Sequence, residues 1–135
     1  MTPTKQHSEL KAQKGIRQAE DELVQWIQAA LDKTDSYGDL QEAQFRNLVR
    51  VADTTESPEV IKNFLLYQVG RDKKWGKGKN SLAETIIKDI DSKIKPKAVE
   101  IVKGSGYEHE KEIWLELIRR YLGYGARYLK YLNTL

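Results

Sequence analysis

Apolar residues recur every three or four positions along most of this chain, which is the spacing of an amphipathic helix. The first such segment runs from Ser8 to about Lys33. A second follows Asp39, a predicted N-cap, with an apolar stripe formed by Phe45, Leu48, Val49 and Ala52. Residues 1–7 show no such period, so we expect a flexible N-terminal tail followed by one helical domain over residues 8–135.

Two further helix starts are marked by capping residues. Ser57, Pro58 and Glu59 predict a third helix from Pro58 to about Gly70, because serine caps, proline tolerates the first turn and glutamate complements the helix dipole. Its apolar residues are Val60, Ile61, Phe64, Leu65 and Tyr67. The capping box from Ser81 to Glu84 begins a fourth helix that reaches about Lys93.

Pro96 restarts the chain, and the segment Lys97 to Lys103 is either a short helix or a strand. Helix is favoured, since no partner strand is visible. Glu108 opens the longest periodic segment, which ends near Leu132. The predicted fold is therefore all-α, a compact single-domain bundle of about five helices.

The amino-acid composition limits the kinds of chemistry that this chain could carry out. The chain has 135 residues, the size of one domain, and no cysteine, which excludes disulfides and thiol nucleophiles. His109, between Glu108 and Glu110, is more simply an exposed residue at a helix start than a base. We expect no enzymatic activity, cofactor, metal or small-molecule substrate. Without a long apolar run or a signal sequence, a soluble, cytoplasmic protein with no membrane contact is predicted.

Positive charge is concentrated in residues 71–79, here called the basic loop. Its five basic residues and one acid give +4, in a chain whose total is +3. With glycines that let the backbone approach a ligand, this is typical of a polyanion-binding loop. The predicted contacts with a nucleic-acid backbone are Arg71, Lys73, Lys74, Trp75, Lys77 and Lys79. The alternatives are a solvated loop without a ligand, and a tryptophan that anchors the loop to the bundle. A nucleotide-binding P-loop is rejected, because Gly76-Lys77 is followed by Gly78 rather than Ser or Thr.

The last helix repeats this excess of positive charge. Residues 117–135 contain four basic residues and no acid, a charge of +4, and we predict contacts with nucleic-acid phosphates at Arg119, Arg120, Arg127 and Lys130. The two adjacent arginines could instead pair with acids of neighbouring helices. One face of the same helix carries Tyr121, Tyr124, Tyr128 and Tyr131, a core or interface stripe or a surface that stacks on bases. The small residues Gly123, Gly125 and Ala126 predict that another helix packs closely there.

Three segments carry a family resemblance. They are residues 45–48 (Phe-Arg-Asn-Leu), 61–71 (Ile-Lys-Asn-Phe-Leu-Leu-Tyr-Gln-Val-Gly-Arg) and the Tyr-rich stretch 121–131. These segments resemble the small helical subunit of Csm-type (type III-A) CRISPR effector complexes. The resemblance implies a non-catalytic RNA-binding subunit of an antiviral ribonucleoprotein, which contacts the guide and target RNA backbone, other subunits and further copies of itself. Arg46 and Arg71 fall on the motif positions, followed by Lys62, Arg127 and Lys130. Arg50, four residues after Arg46, shares its helix face.

Two other functions are compatible with the pattern. One is a helical adaptor that uses the tyrosine face for protein contact and the basic loop for an acidic partner. The other is a DNA-binding regulator, in which the second and third helices form a helix-turn-helix. The turn from Asp53 to Ser57 is long for that motif and its second helix is only weakly basic.

Overall fold

A computed structural model describes residues 4–135 of the chain. These residues form an all-helical single domain without strands. The helices are α1 (Lys5–Gln18), α2 (Glu20–Asp32), α3 (Glu42–Thr54), α4 (Pro58–Arg71), α5 (Leu82–Asp89), α6 (Lys95–Ser105) and α7 (Glu110–Leu132). Helices α1 and α2 are continuous apart from Ala19, and a π turn, Ile90–Ile94, joins α5 to α6. The described residues thus make five rods, as the sequence predicted.

Helix α7 is the centre of the bundle and packs most extensively against α2 and α3. Gly125 allows this approach, since a methyl group at residue 125 would lie 2.7 Å from both Ile27 and Phe45. The predicted close packing is confirmed at Gly125 and at the buried Ala126. Gly123 plays no part in it, because no atom lies within 4 Å of a methyl group placed there.

The helix starts show which capping signals the fold uses. Ser57 and Ser81 accept hydrogen bonds from the backbone of Val60 and Glu84, at 3.3 Å and 3.2 Å, as predicted. The other half of the predicted capping box does not form, because the Ser81 amide donates to the Gly78 carbonyl at 3.2 Å rather than to the Glu84 side chain. The predicted start of α3 was wrong by a few residues, because the N-cap is Gln41 rather than Asp39. Gln41 and Gln44 each accept a hydrogen bond from the backbone of the other.

The N-terminal end of the first rod also differs from the prediction. Thr4 caps α1 by accepting a hydrogen bond from the His7 backbone at 3.1 Å, so the helix begins at Lys5. Residues 5–7 of the predicted tail are therefore helical, and residues 1–3 lie outside the described residues. The prediction missed this start because the first turn is polar and leaves no apolar period.

Pro96 does not break the chain as predicted. It lies in the first turn of α6, directly after the π turn, and the segment 97–103 is helical. A proline ring normally clashes with the carbonyl four residues earlier, and the wider π turn relieves that clash.

Helix α4 packs mainly on α3 and α5. Of its apolar residues, Ile61 and Leu65 are buried, whereas Val60 is 47% exposed and Tyr67 is 60% exposed. Apolar residues lie on more than one side of this helix, so the sequence could not show which side packs. No helix in residues 4–135 has both the length and the apolar character needed to span a bilayer.

Candidate nucleic-acid interface

The basic loop connects α4 to α5 and its backbone is fixed at three points. The Gly38 amide donates to the Lys74 carbonyl at 3.1 Å, and the Ala83 amide donates to the Trp75 carbonyl at 3.2 Å. The Lys74 amide in turn donates to the Asp72 carboxylate at 2.9 Å. These bonds hold the loop in one shape against the end of the bundle, so its side chains extend from an ordered backbone.

Trp75 is the anchor of the loop. Its side chain is 1% exposed and stacks on Phe45 of α3, with ring centroids 5.5 Å apart and an interplanar angle of 27°. The predicted contact between Trp75 and an RNA strand is therefore not available in this structure, and the anchoring alternative is confirmed. The reason is burial: a tryptophan ring gains more from a core pocket than from exposure on a loop.

Gly76 is required by the same anchoring. Its φ is +88°, and a methyl group there would lie 2.1 Å from the Ser36 carbonyl oxygen. The backbone of the loop therefore touches the 3₁₀ turn Thr34–Ser36 directly. Gly78, with φ +74°, has open space around it and lies at the exposed tip of the loop. Trp75 and Gly76 thus form the buried base of the loop.

The four lysines of the loop have no acidic partners among residues 4–135. Lys73, Lys77 and Lys79 are exposed and Lys74 is half-buried. None of these four forms a salt bridge with any residue in 4–135. Arg71 is exposed and meets only its neighbour Asp72, at 4.0 Å. The predicted charge excess is therefore real at the surface.

The first two arginines of α7 are used inside the fold instead. Arg119 donates from Nε to the Ala52 carbonyl at 2.8 Å and from Nη2 to the Thr55 carbonyl at 2.9 Å, which caps the end of α3. Its guanidinium therefore binds carbonyl oxygens, not the acids that the sequence suggested, and is occupied by the protein itself.

Arg120 pairs with acids, as the alternative prediction has it. It contacts Glu116 at 3.1 Å and also Glu20 of α2. Burial lowers the pKa of Arg120, but the two carboxylates outweigh it and raise that pKa overall. Arg119 and Arg120 are therefore both bound within the fold, and their predicted contacts with RNA stay predictions.

Arg127 and Lys130, nearer the end of α7, are exposed and unpaired among the described residues. The end of α7 reaches the same region as the basic loop, since the Asn133 side chain donates to the Leu40 carbonyl at 3.1 Å. Residues 38–40 thus contact Lys74 on one side and the end of α7 on the other. The basic loop and the last turns of α7 lie at one end of the bundle, here called the basic end.

The other predicted contacts differ in how firmly they are held. Arg46 is bound to Glu42 at 3.1 Å, four residues away, and its side chain is 44% exposed. Such an exposed pair is weak, so a phosphate can replace the carboxylate. Arg50 is exposed and contacts Asn47.

Lys62 is held by two acids, Glu59 at 2.8 Å and Asp91 at 3.0 Å. Burial lowers the pKa of Lys62, but these carboxylates more than compensate and raise it overall. Its charge therefore serves to connect α4 with the π turn, and it is the least available of these cations.

The tyrosines of α7 run from the core to the surface. Tyr121 is buried and donates to Asp89 at 2.6 Å, and burial with this carboxylate raises the pKa of Tyr121 well above its usual value. Tyr128 donates to Asp32 at 2.5 Å, a bond that raises its pKa to about 12. Tyr131 is 57% exposed. The core interpretation is confirmed for Tyr121, and no continuous tyrosine ridge faces solvent.

A cleft of about 1070 Å³ lies between α1 and the start of α7, away from the basic end. Six glutamates line it: Glu9, Glu56, Glu108, Glu110, Glu112 and Glu116. They repel a polyanion, and within residues 4–135 no three acids or histidines are grouped to hold a metal. This acidic end was not predicted, although the run of acids from Glu108 to Glu116 is a visible signal for it in the sequence.

Comparisons with protein-family models, with curated proteins and with solved structures give no match for this chain. The resemblance carried by residues 45–48, 61–71 and 121–131 therefore stays a prediction.

Proposed function

We propose that this chain is a non-catalytic RNA-binding subunit whose basic end neutralises the phosphates of an RNA backbone. One observation carries the proposal: five cations within nine residues of an anchored loop have no acidic partner except the neighbouring Asp72. Like charges held this close repel each other, so an anion that replaces water around them stabilises the loop.

The side chains of the basic loop suit recognition of the RNA backbone that does not depend on base sequence. Lysine is a flexible point charge that adapts to the changing positions of phosphates along a strand. The loop offers no set of planar amides or paired arginines that would read base edges. Exposed Arg127 and Lys130 extend the positive surface at the basic end. Binding is therefore expected to depend strongly on salt and weakly on sequence.

The resemblance to Csm-type small subunits supplies the setting: a type III CRISPR effector complex, in which this subunit contacts guide and target RNA beside other subunits. The shape and charge of the basic end support an RNA-backbone role, and membership of that complex rests on the resemblance alone. An adaptor function is less well supported, because Tyr121 and Tyr128 are bonded to acids of the bundle. A helix-turn-helix is less well supported too, since Lys62 in the candidate reading helix α4 is held by two acids.

The test is a salt titration of RNA affinity after changing Lys73, Lys74, Lys77 and Lys79 together to Ala. Each lost phosphate contact is expected to reduce the slope of log affinity against log salt by about 0.7 to 0.9. Affinity is measured by fluorescence anisotropy with unrelated RNA sequences and with duplex DNA. Equal losses for all RNA sequences support backbone recognition. Unchanged affinity and slope would eliminate the loop as the binding surface.

A control of equal charge change uses four exposed lysines outside the basic end, Lys11, Lys14, Lys103 and Lys111. They lie on α1, on α6 and at the start of α7, and none forms a salt bridge in the described chain. Their replacement by Ala lowers the net charge by the same amount. If this control loses as much affinity as the loop variant, binding reflects total charge and no localised surface exists.

A further inference from the structure

The outward face of α4 carries apolar side chains that the fold leaves uncovered. Val60 is 47% exposed, Leu66 is 51% exposed and Tyr67 is 60% exposed. The Tyr67 ring pairs with half-buried Phe64 at a centroid distance of 6.4 Å. Its hydroxyl has no hydrogen-bond partner in the described chain. A cluster of this kind on one helix costs solvation, and neither core packing nor hydrogen bonding accounts for it.

Gly70 lies next to Tyr67 on the helix surface, three residues along. The usual reasons for a glycine are missing here: its φ is not positive, and no atom lies within 4 Å of a methyl group placed on it. Glycine near a helix end is still less favourable than alanine. What Gly70 provides is a bare stretch of backbone beside an exposed aromatic ring.

Positive charge borders the same face. Val60, Phe64, Tyr67 and Arg71 follow 4-3-4 spacing and so lie along one line of α4. Arg71 ends that line with its side chain 60% exposed, and the basic loop begins there. An aromatic ring, a bare backbone and an exposed cation, whose one acidic neighbour is Asp72 at 4.0 Å, therefore lie side by side, continuous with the basic loop.

We propose that this face of α4 is a base-stacking platform for single-stranded RNA, with Tyr67 as the stacking ring and Arg71 as the adjacent phosphate contact. The proposal rests on the RNA-binding function proposed above and adds what part of the RNA is recognised. Proteins that bind single strands without sequence preference combine these parts, a basic track for the backbone and aromatic rings on which bases stack. Bases already stacked in a duplex are not available to Tyr67, so the platform selects unpaired RNA.

The experiment compares the wild type with Tyr67→Leu and Tyr67→Phe. The probe is a short single-stranded RNA that contains a fluorescent adenine analogue, whose emission falls when the base stacks. Tyr67→Leu keeps an apolar side chain without a π face, and is expected to abolish the quenching and to weaken single-strand binding roughly tenfold. Tyr67→Phe should retain both. Duplex RNA binding and the salt slope should be the same in all three proteins.

Tyr131→Leu is the matched control, since Tyr131 is also exposed but lies on α7. It should bind and quench as the wild type does. If Tyr67→Leu retains quenching and affinity, the platform is wrong, while loss of affinity in the fourfold lysine variant would still uphold the proposed function. A wild type that binds no RNA overturns both. A Tyr67→Leu protein that changes oligomeric state assigns this face to a second copy, which also overturns the platform.

Gly70→Ala tests the bare backbone separately. It should raise the melting temperature by about 2 to 5 °C, because alanine favours the helix, and weaken single-strand binding through the added methyl group. Gly123→Ala is its control, since Gly123 is helical with equally open surroundings. Gly123→Ala should stabilise the protein and leave binding unchanged. Wild-type affinity in Gly70→Ala would remove Gly70 from the platform.

Discussion

The basic loop and the last helix carry the same formal charge, +4 over residues 71–79 and +4 over residues 117–135, yet the fold uses them differently. In the loop, every lysine is without an acidic partner in the described chain. In α7, Arg119 caps α3 and Arg120 joins α7 to α2. Charge counted along a sequence is therefore an upper limit on the charge that a ligand meets, and the difference is set by which cations the bundle itself needs.

Burial explains why the two segments differ. The loop is joined to the bundle by an apolar anchor, Trp75 on Phe45, so its cations need not take part in packing. Helix α7 lies at the centre, where a charged group comes close to unsatisfied carbonyls and to acids of other helices. There a guanidinium stabilises the fold by satisfying buried polar groups.

Trp75→Ala is the most severe test of this contrast. Removing a fully buried indole is expected to lower the free energy of unfolding by about 3 to 5 kcal/mol, and Trp75→Phe by less because the ring contact with Phe45 survives. Denaturant titration measures both. If Trp75→Ala instead weakens RNA binding at unchanged stability, Trp75 is a ligand contact and the anchor interpretation is wrong.

Arg119→Met is expected to have the next largest effect on the free energy of unfolding. Two carbonyls at the end of α3 lose a charged donor, so we expect a loss of about 2 kcal/mol in the free energy of unfolding. RNA affinity of the folded protein should not change. Arg127→Met is its counterpart, an exposed arginine on the same helix whose replacement should alter stability by less than about 0.5 kcal/mol. Equal destabilisation by the two changes would contradict the division between structural and free arginines.

Arg127→Ala and Arg120→Ala give the smallest and most selective comparison. Loss of Arg127 should lower the salt slope of RNA binding by about 0.7, the effect of a single contact. Loss of Arg120 removes a half-exposed ion-pair network, which should lower stability by about 1 kcal/mol and leave the slope as in the wild type. Should Arg120→Ala reduce the slope and Arg127→Ala leave it unchanged, the two arginines have been assigned the wrong way round.

Local chemistry predicted most of the fold. The 3.6-residue period located the helical segments of all five rods, although it divided one of them at Pro96. Ser57 and Ser81 marked two helix starts, because caps act through atoms only a few residues away. The predicted helix boundaries were wrong where a nonlocal contact or a weak sequence signal determined the structure. The π turn carried the chain past Pro96, and the polar first turn of α1 gave no period. In α4, apolar residues on several sides hid which side packs.

The candidate site was predictable in part. The basic loop could be predicted because its charge excess is confined to nine residues. The structure shows that most of its charged side chains are exposed. The role of Trp75 remained open, since the same residue type suits a base or a core pocket. The exposed apolar face around Tyr67 was missed, because the sequence pattern did not show which side of α4 packs.

The sequence by itself determined that this protein is a helical bundle and where its positive charge is concentrated, because both follow from residue types and short spacings. The tertiary structure decided which charges remain for a ligand. Arg119 meets Ala52 across 67 positions, Arg120 meets Glu20 across 100, and Asn133 meets Leu40 across 93. Contacts between residues so distant in sequence arise only when the rods pack. Packing therefore commits two arginines of α7 to the fold and leaves the loop lysines free.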